Sequence, residues 1–424
     1  MLNLDALQAI AAARLNENMG KPLYESYCFS QIPQLVRYLL TEDTQAGLPL
    51  TVLEGLPQQY EKVILILVDG FGWCFFERYR DRLPFLKHLF EAGVASKLTT
   101  QFPSTTSAHV TTLHTGLPVG ESGVYEWFYY EPLVDGIFAP LLFSLAGDRT
   151  RETLLQTGLQ PEAVFPTQTL YQGLAARGVK SYCFQHQSYA HSPFSQTVCN
   201  GAEMVAFRTL PEAMTNLAEA AIAQSGKAYY CFYIDVIDAI AHKYSPNSPQ
   251  FDAEVCALWL LLEQLLHQSL AGKLHNTLLL ITADHGQIEV SPENTIYLNQ
   301  LSPSIEPWLQ RNAQSKPLVP AGGSRDMFLY IQAEFLEKAY DLLTQQLAGR
   351  ATVYYTQTLV EAGYFGPDPS LRLRERLGNL VILPHQHELV WWYEKDRFEE
   401  HHKGHHGGLC RDEMETLLLA LPYV

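Results

Sequence analysis

Val63-Ile64-Leu65-Ile66-Leu67-Val68-Asp69-Gly70 is a run of six apolar residues closed by Asp-Gly. The run is short, rich in β-branched side chains and not interrupted by polar residues. Such a segment reads as a strand buried on both faces, which is the environment of a parallel sheet covered by helices. Moving outward, the pattern predicts a helix around 73–92, a strand at 95–100 entering the Pro103 turn, and a helix over 110–115. Strands are predicted at 180–184, 229–234 and 277–282. Leu258, Leu261, Leu262, Leu265 and Leu266 mark a helix with a buried face over 254–270. Strand and helix alternate, so the expected fold is α/β, a doubly wound, mostly parallel sheet sandwiched by helices.

Residues 1–60 read as a helical lead-in, with Leu2, Leu4, Leu7 and Ile10 on one face of a short helix. The core is expected over 61–290 and 386–424, re-entered through 380–383 and 390–393. Between them, 291–385 breaks the rhythm with a strand at 327–331, a helix at 334–347, a strand at 352–355 and many prolines and glycines. This stretch is expected to form a small α+β cap insertion over one edge of the site.

The chain has 424 residues, 47% hydrophobic and 17% charged, which is ample for a large core. A formal net charge of −16 disfavours non-specific nucleic-acid binding, which rests on Lys and Arg contacts to phosphates. The seven cysteines are widely spaced, with no CxxC, and read as buried free thiols of a reducing compartment. No apolar run approaches the length of a membrane span, and the N-terminus lacks the pattern of a secretory signal. A cytoplasmic location and no membrane partner are the expectations.

Chemistry gathers at strand ends. Asp69 closes the first strand. Asp238 and His242 are four apart, which on a helix puts both on one face; Asp235 is a nearby competitor. Asp284 and His285 are adjacent, and Gly286 supplies the turn that lets both reach one point. His401, His402, His405 and His406 lie in a glycine-broken tract, one of them an expected ligand. Ser104-Thr105-Thr106-Ser107 is a hydroxyl-rich turn ahead of a helix, where backbone N–H groups would face an anion. Any of the four could be a nucleophile, or simply cap the helix. Carboxylates, imidazoles and a hydroxyl together are the parts of a two-metal hydrolase.

In this order the motifs resemble the alkaline phosphatase superfamily, and within it the type I phosphodiesterase/nucleotide pyrophosphatase family, over roughly residues 60–420. Val68-Asp69-Gly70 looks like the family's first metal aspartate. Phe102-Pro103-Ser104-Thr105-Thr106, with Thr115-Gly116-Leu117-Pro118 after it, looks like the nucleophile helix and puts the nucleophile at Thr106. Asp238 and His242, Ala283-Asp284-His285-Gly286 and His406-Gly407-Gly408 resemble the remaining ligand motifs. The resemblance implies two zinc ions, with manganese as another divalent option. Asp238, His242 and His406 would hold one, and Asp69, Asp284 and His285 the other. It implies hydrolysis of phosphodiester or pyrophosphate bonds, nucleotides among them, through a phosphothreonine intermediate. Two positions depart from the family: His109 stands where Asn is frequent, and Ser122-Gly123 where His-Gly is frequent.

The expected partner is a small-molecule phosphate ester. Residues 102–130 contain no Lys or Arg, and 124–130 are mostly apolar and aromatic. That suits a second ester substituent better than the extra charge of a monoester. His109, Tyr125, Trp127 and Arg325 are the expected substrate contacts, and the cation a monoesterase would need would come from Lys243 or Arg325. A phosphomonoesterase or phosphonate hydrolase is the alternative within enzymes, and a catalytically silent metal-binding protein the alternative outside them.

Overall fold

The computed structural model describes every residue except Glu17. Its centre is β1 (Lys62–Val68), all of it buried. Val63, Leu65 and Leu67 enter one hydrophobic core, and Ile64, Ile66 and Val68 the other. This explains the unbroken apolar run: with a core on each face, period-two alternation has no polar side to show. Each fully buried Val, Leu or Ile contributes about 1.5–3 kcal/mol.

The other strands of the main sheet and of one small sheet are β2 (Val94–Thr99), β3 (Lys180–His186), β4 (Glu203–Phe207), β5 (Ala228–Ile234) and β6 (Thr277–Thr282), then β7 (Met327–Leu329), β8 (Ala351–Tyr355), β9 (Leu380–Pro384) and β10 (Glu415–Tyr423). The seven-stranded sheet has the order β2-β10-β6-β1-β5-β3-β4. β1 pairs in parallel with β5 and β6, with Val63 opposite Tyr229 and Leu278. β10 is antiparallel to both of its neighbours. Helices Trp73–Tyr79, Pro84–Ala92, Leu210–Ala223 and Pro249–Leu261 cover one face, and Ile32–Leu40, α1 (Thr106–Thr115) and Leu170–Ala175 cover the other. The sheet is the doubly wound, mostly parallel one expected; the sequence reading missed β4 and β10.

The helix expected over 73–92 divides into two, because Pro84 fits a helix's first turn but not its interior. The expected lead-in, residues 1–60, contains helices Leu4–Ala12 and Ile32–Leu40. The Ile32–Leu40 helix buries Leu35, Val36, Leu39 and Leu40 completely in the main core.

One strand expectation is corrected. Residues 380–383 do not re-enter the main sheet. They form β9, the middle strand of a small antiparallel sheet between β7 and β8, backed by helix Leu336–Gln346. Leu380 and Ile382 pack into the small unit's core, while Val381 and Leu383 pack into the large one. Lying between two cores, β9 carries the same two-sided apolar pattern as a central strand. Val390–Trp391 likewise pairs with Ile296–Tyr297, and Trp391, Trp392 and Phe398 belong to the small core. Residues past 385 thus contribute to the small core, and the chain rejoins the main sheet at β10.

Asp69, the Thr106 turn, α2 (Val236–Tyr244) and Asp284-His285 follow β1, β2, β5 and β6, at the strand ends where open α/β sheets bind ligands. β10 runs the other way, so its start lies beside the ends of β2 and β6, with Glu415 opposite Thr99 and Leu418 opposite Thr282. The loop before β10 thus brings His406 to the same edge. Among the described residues, no helix is long and apolar enough to cross a membrane.

Candidate active site

Two three-residue groups form at this edge. Asp238, His242 and His406 each bring a ligand-type atom within 4.8 Å of the others, and so do Asp69, Asp284 and His285. Nε2 of His242 lies 3.3 Å from Asp238 Oδ1, and Nε2 of His406 lies 3.6 Å from the same oxygen. Nε2 of His285 is 3.4 Å from Asp69 Oδ1 and 3.5 Å from Asp284 Oδ2.

The three imidazoles are oriented alike. Nδ1 of His242 donates to Gly404 O (2.7 Å), Nδ1 of His406 to Ser104 O (2.9 Å) and Nδ1 of His285 to Gly286 O (3.0 Å). A carbonyl only accepts, so each Nδ1 carries the proton and each Nε2 presents a lone pair to the site. This is the wiring that metal-binding histidines use. Asp238 and His242 sit one helical turn apart on α2.

The carboxylates are arranged for a cation. Asp284 Oδ1 accepts the N–H groups of Gly70 (3.1 Å) and His285 (3.0 Å), yet its buried Oδ2 has no hydrogen-bond partner. Asp69 Oδ2 accepts from the Tyr233 hydroxyl, while its buried Oδ1 has no partner either. Burial, then the neighbouring Asp284 and Asp238, pushes the Asp69 carboxyl well above the usual range; burial also raises Asp284. Burial acts on Asp238 in the same sense, but the His242 and His406 imidazoles outweigh it and hold that group low. Two buried, orphaned carboxylate oxygens facing an imidazole lone pair fit a bound divalent cation, and the mixed N/O donor set suits zinc.

Among the four hydroxyls of the turn, geometry favours one. Ser104, Thr105 and Ser107 are buried, and Ser104 Oγ donates to Gly408 O at 2.8 Å. Thr106 is half-buried at the first residue of α1, with Oγ1 3.2 Å from His285 Nε2 and 3.5 Å from Asp69 Oδ2. The free N–H groups of a helix's first turn favour an anion at such a point. Two cavities meet there. One of about 360 Å³ and one of about 250 Å³ are both lined by Thr106, Trp127 and Asp238.

These features have relatives. The profile of the family described as "Type I phosphodiesterase / nucleotide pyrophosphatase" matches residues 63–409. The chain belongs to the type I phosphodiesterase/nucleotide pyrophosphatase family. Human ectonucleotide pyrophosphatase/phosphodiesterase family member 5 is 24% identical over 269 residues, which are 62% of this chain and 53% of the relative. The chain thus spans about half the length of that curated relative. Solved structures of murine ectonucleotide pyrophosphatase/phosphodiesterase 5, one of them an inactive form in complex with AMP, share the fold at a TM-score of 0.64 and 16% identity. Each covers 85% of this chain and 88% of the solved chain. The human counterpart gives 0.63 and 17%. The fold is therefore that of this alkaline-phosphatase-like family.

Of the four expected substrate contacts, the structure leaves one in place. Trp127 is 39% exposed and lines both cavities. Arg325 is fully buried and pairs with Glu413 at 2.8 Å, so it offers no charge to a substrate. Tyr125 is a core residue against Tyr129 and Phe328, its hydroxyl near Tyr330 and Arg376 O. His109 is buried under Phe29. Its Nδ1 donates to Thr105 O (2.7 Å) and its Nε2 accepts from Gln101 N (2.9 Å), so neither nitrogen is left for a phosphoryl oxygen. Burial pushes its pKa down to about 3. The competitor Asp235 accepts from the Tyr189 hydroxyl at 3.2 Å and lies outside both ligand groups.

Sequence reading missed Tyr233, Arg151 and Arg397. Tyr233 braces Asp69, while Arg151 lines the smaller cavity and Arg397 the larger. A tyrosine one residue before the end of a strand that leads into Asp235 was a usable signal for Tyr233. The arginines carry no local motif.

Proposed function

We propose that this chain hydrolyses phosphodiester or pyrophosphate bonds of small molecules, nucleotides among them, with Thr106 Oγ1 as nucleophile. The observation that carries this reading is the position of that hydroxyl, beside the Asp69–Asp284–His285 group and between two cavities. Divalent cations, zinc by the donor set, would be held by Asp69, Asp284 and His285 and by Asp238, His242 and His406. When bound they would supply the charge that makes a threonine hydroxyl a nucleophile and offsets the developing negative charge.

Thr106 Oγ1 attacks phosphorus, the bond to the leaving oxygen breaks, and water then hydrolyses the phosphothreonine ester. The N-terminus of α1 faces the non-bridging oxygens. A diester has two substituents, and the two cavities give each one a place. Trp127 stands between them, with its indole exposed for stacking on a base or aryl group. The AMP seen in the murine protein supports a nucleotide on one side. Of the two cations expected of a monoesterase, Arg325 is tied to Glu413 and Lys243 lines neither cavity, which weighs against the monoester alternative.

The test is kcat/KM for an aryl phosphodiester and for the monoester with the same leaving group. The diester is expected to win by about tenfold or more, ~1.4 kcal/mol. A monoester preference of that size would overturn the diesterase reading.

A further inference from the structure

The histidine tract does more than supply His406. Glu400, His402 and His405 form a separate group whose ligand-type atoms all lie within 4.8 Å of one another. His402 Nδ1 is 3.1 Å from Glu400 Oε1, and His405 Nε2 is 3.6 Å from Glu400 Oε2. A tetrahedral zinc with bonds of about 2.0–2.1 Å holds its ligand atoms roughly 3.3 Å apart. The two groups described above span 3.3 to 3.6 Å, so the 3.6 Å separation falls within their range and the 3.1 Å one just below it. The side chain of Glu400 is only 6% exposed. Its Oε1 accepts the N–H groups of His401 (3.0 Å) and His402 (2.9 Å), which leaves Oε2 facing His405. His405 Nδ1 lies 2.9 Å from both the N–H and the carbonyl of His406, and in the tautomer that donates to the carbonyl Nε2 presents its lone pair toward Glu400.

We propose that Glu400, His402 and His405 form a third divalent-metal site of the zinc type. It adjoins the Asp238 group, the rings of His402 and His242 lying 4.5 Å apart. All three residues line the 360 Å³ cavity together with Thr106 and Arg397. An ion held by three protein ligands would keep a coordination position open, and the three residues that would hold it line the cavity. On the hydrolase reading above, on which this one consequence rests, the ion favours a substituent with its own anionic oxygen, as in a pyrophosphate. The metal site itself does not depend on that reading.

The experiment counts zinc ions bound to the full chain after chelator treatment and titration with zinc alone. The double variant Glu400→Gln/His402→Ala is compared with wild type, and again in an Asp238→Asn background. The site predicts one ion fewer in both backgrounds, whatever the starting count, so a wrong total at the other groups leaves the result readable. An unchanged count overturns the proposal and leaves Glu400 as a hydrogen-bonded brace for the loop. A loss confined to the wild-type background also overturns it, since the cluster would then only support its neighbour. If the double variant does not fold, His402→Ala alone replaces it: that ring is half exposed, and the same loss of one ion is expected.

Discussion

The Asp238–His242–His406 group carries one carboxylate and two imidazoles, whereas the Asp69–Asp284–His285 group carries two carboxylates and one imidazole. In the first the side chains are 10–17% exposed, and in the second 0–3%. Imidazoles hold Asp238 low, and Asp238 in turn raises His242. Burial and mutual repulsion raise Asp69 and Asp284 instead. The first group is close to self-neutralising without an ion. The second gathers negative charge away from water and is relieved only by protons or a cation. The nucleophile candidate lies against the second. The two halves of the site are therefore expected to differ in how tightly they hold metal and in how they respond to pH.

The largest effect should come from the buried group. Asp284→Asn or His285→Ala is expected to lower activity by about a thousandfold or more, with the loss of one tightly held ion in elemental analysis. His406→Ala should lose the more weakly held ion. If His406→Ala releases metal no more readily than Asp284→Asn, the contrast between the groups fails.

A smaller effect is expected from Tyr233→Phe, which removes the hydroxyl donating to Asp69 Oδ2. Partners of metal ligands are worth about 10–100-fold in metal affinity. The loss should appear in zinc titrations at the buried group and leave the Asp238 group unchanged.

The pH response of metal-stripped protein sharpens the contrast further. Asp69 and Asp284 have raised pKa values, so the folded chain keeps protons that the unfolded chain has lost. Their contribution is fully present below the unfolded value of about 3.9 and is lost as pH rises through the folded values. Raised His242 acts in the same sense above about 6.5. Depressed Asp238 has the opposite sign, and its contribution is lost only as pH falls below the ordinary carboxylate range. The Tm of stripped protein should therefore fall between about pH 5 and 8, by a few degrees at ~2 °C per kcal/mol for a chain of this size. Asp69→Asn should flatten that slope. A stripped protein whose Tm rises over this range would contradict the assignment. The smallest effect belongs to His401→Ala, at an exposed position outside all three groups; metal content should stay constant, and stability within about 0.5 kcal/mol.

How much of this was legible in the sequence differs between the same two kinds of place. Strand ends were readable because strand, turn and ligand are contiguous: β1 leads directly into Asp69, and β6 into Asp284. The turn at Thr106 was readable from its own residues only as a cluster, and the family resemblance alone pointed to Thr106. A physical ground for choosing among its hydroxyls needed the distances to Asp69 and His285, which come from other strands. Arg325 was misread because its partner, Glu413, is 88 residues away. Tyr125 and His109 were misread because an aromatic or imidazole near a motif looks the same whether it faces a cavity or a core. β9 was misplaced because a strand between two cores has the pattern of a central strand.

The most direct measurement is turnover of a phosphodiester by Thr106→Ala, Thr106→Ser and wild-type protein, with the zinc content of each determined in parallel. Thr106→Ala is expected to lose nearly all turnover at unchanged metal content, and Thr106→Ser to keep part of it. During wild-type turnover, acid quenching should trap a phosphoryl adduct on Thr106. A Thr106→Ala protein that keeps both its metal and its turnover, or an adduct found on Thr105 or Ser107, would contradict the assignment of Thr106 as nucleophile.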